Sequence, residues 1–255
     1  MQQLPSPKPA ATVLQRLYPE RRFSRFHRDE GRFIFYSLVA DLLKAEDVVL
    51  DLGAGRGQQV QSAKGHLRFL LDFRGRCKKV IGVDPDEIVL SNPFLNEAYV
   101  MDQDGKIPLA DNSVDLICSF AVLEHVGEPH KLAKEVQRVL RPGGWFCSWT
   151  PNKWSYIGIL VRIVPNRLHS RLASLAEPRD SRKEKDVFPT VYKLNTVRAI
   201  GQHFSSDIFN NYSYTANGSP AYHFGRAAIA WIWQLVMALS PPFCRKTLFV
   251  FLQKR

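Results

Sequence analysis

In Val49-Leu50-Asp51-Leu52-Gly53-Ala54-Gly55-Arg56-Gly57, an aliphatic run ends on a carboxylate and passes into three glycines at alternate positions, after which a helical pattern begins. That order predicts a strand, a tight turn and a helix start. Glycine at 53, 55 and 57 permits positive φ and removes the Cβ atoms that would hold a ligand off the main chain, so a flat or extended molecule can lie on the backbone. Taken alone, such a turn occurs in many α/β proteins. The flanking chain has to say more.

Outward from the turn, strand and helix patterns alternate. Upstream, Ile34, Leu38 and Leu42, widened by Phe35, Val39 and Leu43, predict an amphipathic helix over 32–44 that packs on the sheet. Downstream, Val60, Ala63, Leu67, Leu70 and Leu71 continue at a period near 3.6 as one helix, closed by Arg74-Gly75-Arg76. Residues 79–84 are a buried strand ending at Asp84, which completes a right-handed βαβ unit. Asn92-Pro93 limits 86–91 to a short helix, and further strands follow at 98–101, 114–120 and 145–150. Between the last two, Pro129 opens a helix with Leu132, Val136, Val139 and Leu140 on one face, and Pro142-Gly143-Gly144 stops it. The alternation implies a doubly wound, mostly parallel sheet. Beyond Pro151, Asn195 can cap a helix running to Phe204, residues 207–214 and 248–252 read as strands, and 177–186 is charged and loop-like. Between those two strands lies the apolar stretch 227–239. It either packs into the core beside the last strand, docks on a membrane or covers a greasy acceptor.

Composition narrows the class. At 255 residues with 45% hydrophobic side chains the chain can bury a sizeable core, and it shows no internal repeat or clear linker. Residues 1–11 read as a disordered lead, and 12–255 as a single domain. Cys77, Cys118, Cys147 and Cys244 are too far apart for a short metal-ligand or redox spacing, which points to a reducing, cytoplasmic setting and no metal. The net charge of +11 concentrates before the first strand, around Arg21, Arg22, Arg25 and Arg28, and again after the sheet, around Arg179, Arg182, Lys183 and Lys185. Such segments suit an acidic substrate, an anionic membrane surface at which the protein would be peripheral, or nucleic acid.

In a parallel α/β sheet the ligand lies across the C-terminal strand ends. Asp51 with its glycines, Asp84, Asp102 and the run from Ser119 to His125 all fall there. Asp84 can accept hydrogen bonds from both ribose hydroxyls of a nucleoside. A nicotinamide dinucleotide would call for Gly-x-Gly-x-x-Gly and a site for pyrophosphate, whereas this turn is Gly-x-Gly-x-Gly behind a carboxylate that repels phosphate and suits a cationic amine.

These motifs, with Val80-Ile81-Gly82-Val83-Asp84, the run from Ile107 to Ile117 and Arg138-Val139-Leu140-Arg141-Pro142-Gly143-Gly144, resemble the class I S-adenosylmethionine-dependent methyltransferases, of the methyltransferase type 11 kind, over 48–150. The resemblance implies a seven-stranded Rossmann-like sheet with an antiparallel C-terminal hairpin and helical cap insertions. It makes 48–150 the cofactor-binding half and 151–255 the substrate side. It implies that Gly53, Ala54, Gly55 and Gly57 carry the methionine portion of S-adenosyl-L-methionine, with Asp51 near its amino group. Asp84 and Pro85 would sit at the ribose, Asp102 and Gln103 at the adenine, and Ser119 and Phe120 near the sulfonium. The 27 positions from Gly57 to Asp84 are somewhat long for that family, and Arg56 stands where a smaller residue is usual.

For a hydroxyl acceptor, His125 is the candidate general base, the alternative being that Glu124-His125 shapes the loop. The acceptor is expected to be a small molecule, a glycan or a lipid-linked group, gripped by the arm at 23–28 and the segment after Pro151. Methylation of a nucleic-acid base amine would call for Asn or Asp, two prolines and an aromatic after the fourth strand, where Ser119-Phe120-Ala121-Val122 stands instead. A cofactor-binding protein without catalysis is the third reading.

Overall fold

The computed structural model describes residues 12–102, 104–163, 189–221 and 223–255. The expected lead at 1–11, Gln103 and the charged stretch at 177–186 lie outside them. Five strands form the parallel centre, namely β1 (Val48–Leu52), β2 (Lys79–Asp84), β3 (Glu97–Val100), β4 (Val114–Phe120) and β5 (Leu140–Pro151), in the order β3-β2-β1-β4-β5. The order reverses between β1 and β4, where a doubly wound sheet opens a crevice at its C-terminal edge. Beside β5 runs the antiparallel β8 (Thr247–Lys254), with β6 (Phe209–Asn211) and β7 (Tyr214–Ala216) both along its other edge.

Among the described residues eight strands stand where seven are expected, because the sixth is interrupted. Register is unchanged across the gap, Asn211 facing Leu252 and Tyr214 facing Phe249, and Tyr212 N still donates to Phe251 O at 2.9 Å. At the gap side chains replace ladder bonds: Ser213 N donates to Asn211 Oδ1 at 2.9 Å, and Phe251 N donates to Ser213 Oγ at 3.3 Å. The antiparallel C-terminal pairing is therefore the one the family resemblance implies.

Around the sheet stand α1 (Val13–Leu17), α2 (Gly31–Leu42), α3 (Gln58–Ser62), α4 (His66–Leu71), α5 (Pro129–Val139), α6 (Tyr156–Ile163), α7 (Val197–His203) and α8 (Ala227–Leu239). Strand alternation divides the core. Val49, Val80, Leu116, Cys118, Cys147, Phe249 and Phe251 meet Phe35 and Val39 of α2, Val60 of α3 and Leu67 of α4 on one face. Leu50, Leu52, Val83, Ile117, Val250 and Leu252 meet Val136 of α5 and Ile200 of α7 on the other.

Two local expectations are corrected. The single helix expected after the glycine turn is two, α3 and α4, because Ala63 is extended and Gly65, at φ 59° and ψ −137°, occupies a conformation that side chains disfavour. The cap of α7 is Thr196, whose hydroxyl accepts from Ala199 N, while Asn195 is buried one residue earlier and bonds elsewhere.

Candidate active site

The glycine turn is held at the C-terminal end of β1 by its own backbone and by two side chains from the neighbouring segment. Gly53, Gly55 and Gly57 all have positive φ, at 76°, 46° and 75°, and Gly57 is the N-cap of α3. Gly53 N donates to Val83 O at 2.7 Å, and Gly55 N donates to Asp84 Oδ2 at 2.9 Å. A Cβ on Gly55 would meet nothing nearer than Asp84 Oδ2 at 3.9 Å, so the floor over this residue is open. Asn92, buried, donates from Nδ2 to both Ala54 O and Gly55 O at 3.2 Å and fixes the turn from the outside. In the sequence Asn92 reads only as a helix breaker before Pro93; its contact with a loop 38 residues away leaves no local signal.

Three carboxylates fall at adjacent strand ends. Asp51 stands opposite Gly82 in the β1–β2 pair, and Asp84 closes β2 opposite Val100. Met101 N donates to Asp84 O at 2.9 Å, which brings Asp102 alongside. Asp84 is buried and accepts at both oxygens, from Gly55 N and from Asp86 N, each at 2.9 Å. Each carboxylate oxygen retains a second lone pair for a ligand hydroxyl. Pro85 and Asp102 are exposed, and Asp102 Oδ1 accepts from Lys106 N at 2.8 Å.

Asp51 is partly exposed at the crevice floor yet desolvated by what surrounds it. Burial, reinforced by the neighbouring charge of Asp84, raises its carboxyl to about 7 from an ordinary 3.8. A proton bound more tightly in the folded chain stabilises it below the unfolded pKa, and that contribution is lost as pH rises through about 7. The melting temperature of the ligand-free protein should therefore fall between about pH 4 and pH 7, with a shallower fall in Asp51→Asn. Thermal melts across that range decide it; identical slopes in the two proteins would refute the assignment.

At the ends of β4 and β5 the two faces of the sheet differ. Phe120 stacks on Trp149, with centroids 4.4 Å apart and rings 11° from parallel, and Tyr36 of α2 stacks on Phe120 at 6.0 Å. Gly31, which opens α2, sits so close that a Cβ there would lie 3.4 Å from Trp149 Nε1. These rings share the face on which Asp51 points, beside Tyr36 and Cys118. On the opposite face Ser119 is wholly buried, its hydroxyl donating to Ser148 Oγ at 2.7 Å, so its side chain serves the sheet and its backbone borders the crevice.

Directly after β4, Ala121 takes φ 57°, an uncommon state for a residue with a Cβ, and the chain tightens into a short 3-10 turn over Leu123–His125. Glu124 is buried and accepts at Oε2 from Thr150 Oγ1 at 2.8 Å, and Asn195 Nδ2 donates to the same hydroxyl at 2.6 Å. The Glu124 carbonyl also accepts from Val191 N and Tyr192 N. Glu124 thus shapes the loop and ties it to the chain at 189–195. Next to it, His125 Nδ1 lies 3.0 Å from Pro189 O. A carbonyl can only accept, so Nδ1 carries the proton and the ring's acceptor lone pair is on Nε2 in the neutral form.

A glycine turn at β1, carboxylates at the next two strands, and an aromatic wall with a histidine past β4 define a Rossmann-like nucleoside-cofactor domain. Residues 50–148 match the family model described as Methyltransferase domain. A protein of Mycolicibacterium smegmatis named a probable S-adenosylmethionine-dependent methyltransferase is 37% identical over 156 residues, covering 60% of this chain and 54% of its own. An uncharacterized methyltransferase of Mycobacterium sp. strain JLS is 34% identical over 145 residues, covering 51% and 53%. The chain spans about half the length of the curated relatives it matches. Its fold is also that of a chain in the complex between the Haloferax volcanii Trm112 methyltransferase activator and a methyltransferase, at a TM-score of 0.52 and 17% identity over 87% of this chain and 90% of that one. Residues 50–148 are thus a methyltransferase domain similar to those of S-adenosylmethionine-dependent methyltransferases, and S-adenosylmethionine is the cofactor that this likeness implies for the domain.

Proposed function

We propose that the protein transfers a methyl group from S-adenosylmethionine to an oxygen of a small-molecule, glycan or lipid-linked acceptor in the cytoplasm, at or near the inner face of the membrane. What supports this reading is the order of the strand ends: the open glycine turn and Asp51 at β1, Asp84 at β2, and His125, oriented by Pro189 O, in the turn that directly follows β4, the other neighbour of β1. When bound, S-adenosylmethionine would supply a methyl group activated by positive sulfur for transfer to the acceptor oxygen.

The chain's own residues then have distinct tasks. The backbone at Gly53, Ala54, Gly55 and Gly57 receives the methionine portion, and Asp51, ionised once a cation sits beside it, holds the amino group. Asp84 keeps its loop bonds and accepts the ribose hydroxyls with its remaining lone pairs, next to Pro85. Asp102 borders the adenine. The rings of Phe120 and Trp149, beyond the Ser119 backbone, give the sulfonium a π-face and keep water out. His125 takes the acceptor's proton at Nε2. Two free, buried thiols on facing strands, Cys118 and Cys147, suit the reducing compartment of this reading.

His125→Ala should slow turnover by about 10² to 10⁴ fold, the usual range for a general base, while leaving cofactor affinity nearly unchanged. The acceptor for this assay comes from comparing metabolites of a deletion strain for an unmethylated species, then following transfer of a labelled methyl group by purified protein. Unchanged turnover would remove the base role. Tight cofactor binding with no transfer to any accumulated species would favour a binding protein without catalysis.

A further inference from the structure

The helix α8 takes no part in the glycine turn or the carboxylate floor, and no other described element covers its outer face. Ala230 and Met237 are its buried residues. Trp231, Leu235 and Leu239 recur every four positions and are 56%, 60% and 77% exposed, and Ile232 and Val236 lie beside them. The expectation that this helix packs into the core beside the last strand is therefore not met on that face. A contiguous exposed apolar face of this kind marks an interaction surface. Thirteen helical residues reach only about 20 Å, short of a bilayer's hydrocarbon core, and among the described residues no helix is long and apolar enough to cross a membrane.

Charge indicates what covers the face. No acidic side chain follows Asp207 in the sequence, whereas Arg226 precedes α8 and Arg245 and Lys246 follow it. Arg226 is exposed at the N-cap of α8. Against α8 lies the N-terminal arm, with Leu17 and Tyr18 packed on Ala230 and the Arg28 guanidinium 5.6 Å from the Tyr18 ring centre. Arg22, Arg25 and Arg28 of this arm are exposed, and so is Phe23 between them. The acids here are Glu20, which accepts from Arg28 N at 3.0 Å, Asp29, and Glu30, 3.5 Å from His27 Nε2; Arg16, Arg21, Arg22, Arg25, Arg28 and Arg32 outnumber them. Exposed tryptophan and leucine bordered by arginine match the acyl boundary and headgroups of an anionic bilayer.

The helix is also fixed near the crevice. Trp233 stacks on Tyr156 of α6 at 4.4 Å, the Tyr156 hydroxyl accepts from Ala221 N at 2.9 Å, and Ser219 N donates to Asp29 O at 3.1 Å. Asp29 is two residues from Gly31, which borders Trp149. We propose that α8 and the arginine arm dock on an anionic bilayer, α8 lying flat in the headgroup boundary beside the opening of the crevice. This surface goes beyond methyl transfer and does not depend on it.

The test is cosedimentation of the full chain, without cofactor, with vesicles of phosphatidylcholine alone or mixed with phosphatidylglycerol. Binding is expected to the mixed vesicles, weaker by about tenfold or more to phosphatidylcholine and weakened by salt. Leu235→Glu with Leu239→Glu should abolish it, and Arg22→Glu with Arg25→Glu should remove the anionic preference by about tenfold or more. All four side chains are at or near the surface, so circular dichroism and cofactor affinity should match the parent. Failure to bind mixed vesicles, or variants that bind like the parent, would overturn the proposal. So would a dimer in ultracentrifugation that Leu235→Glu dissolves while vesicle binding is absent, since a second copy would then cover the face. Vesicle binding without cofactor affinity would sink the methyl-transfer reading and leave this one standing.

Discussion

Asp84→Ala should weaken S-adenosylmethionine binding by about 100-fold or more, measured by titration calorimetry. Two charge-assisted hydrogen bonds to ribose hydroxyls, at about 1.5 to 3 kcal/mol each, account for a loss of that size. The same carboxylate also joins two loops, since Gly55 N and Asp86 N each donate to it at 2.9 Å. That second task makes Asp84→Asn informative. Both carboxylate oxygens already face N–H donors, so an amide must set its NH₂ against one of them. The isosteric change should therefore lower the melting temperature as well as the affinity. An affinity within twofold of the parent in Asp84→Ala would remove Asp84 from the cofactor site.

Gly57→Ala should destabilise the chain by about 2.5 to 6.5 kcal/mol and abolish cofactor binding. Gly57 sits at φ 75°, where a side chain costs about 1 to 2 kcal/mol. Space adds to that strain, because a Cβ here would overlap Asn92 Oδ1 and lie 2.6 Å from Phe94 Cδ2. To make room Asn92 must move, giving up its bonds to Ala54 O and Gly55 O and the one it accepts from Phe94 N, at about 0.5 to 1.5 kcal/mol each. Gly143→Ala is the matched control. Its φ is 81° but no atom lies within 4 Å of where the added methyl group would sit, so it should show the conformational strain alone and keep cofactor affinity. Denaturant unfolding of the two variants separates strain from crowding. Equal losses would mean that Asn92 does not hold the turn.

The legible part of the site is the part written in consecutive residues. Positive φ at Gly53, Gly55 and Gly57 and carboxylates at the ends of β1 and β2 follow from strand, turn and helix rules that act within a few residues. The partners of those residues were not legible. Asn92, Tyr36, Trp149 and the Glu124–Thr150–Asn195 chain reach the site from segments whose local pattern says only helix, strand or loop. Ser119 shows the limit from the other side. Its position beside the crevice was readable, but strand alternation and the facing Ser148 turn its hydroxyl into the sheet.

By itself the sequence determined the alternation of strand and helix that makes a doubly wound, mostly parallel sheet, and the residues that end its strands, because hydrophobic periodicity and glycine stereochemistry are local properties. Only the tertiary structure decided the fate of α8. A helix apolar on every side has no preferred face in sequence, so core packing and surface docking were both open for 227–239. Contacts with Leu17, Tyr18 and Tyr156 cover one side of it, and no other described element reaches Trp231, Leu235 and Leu239 closely enough to bury them.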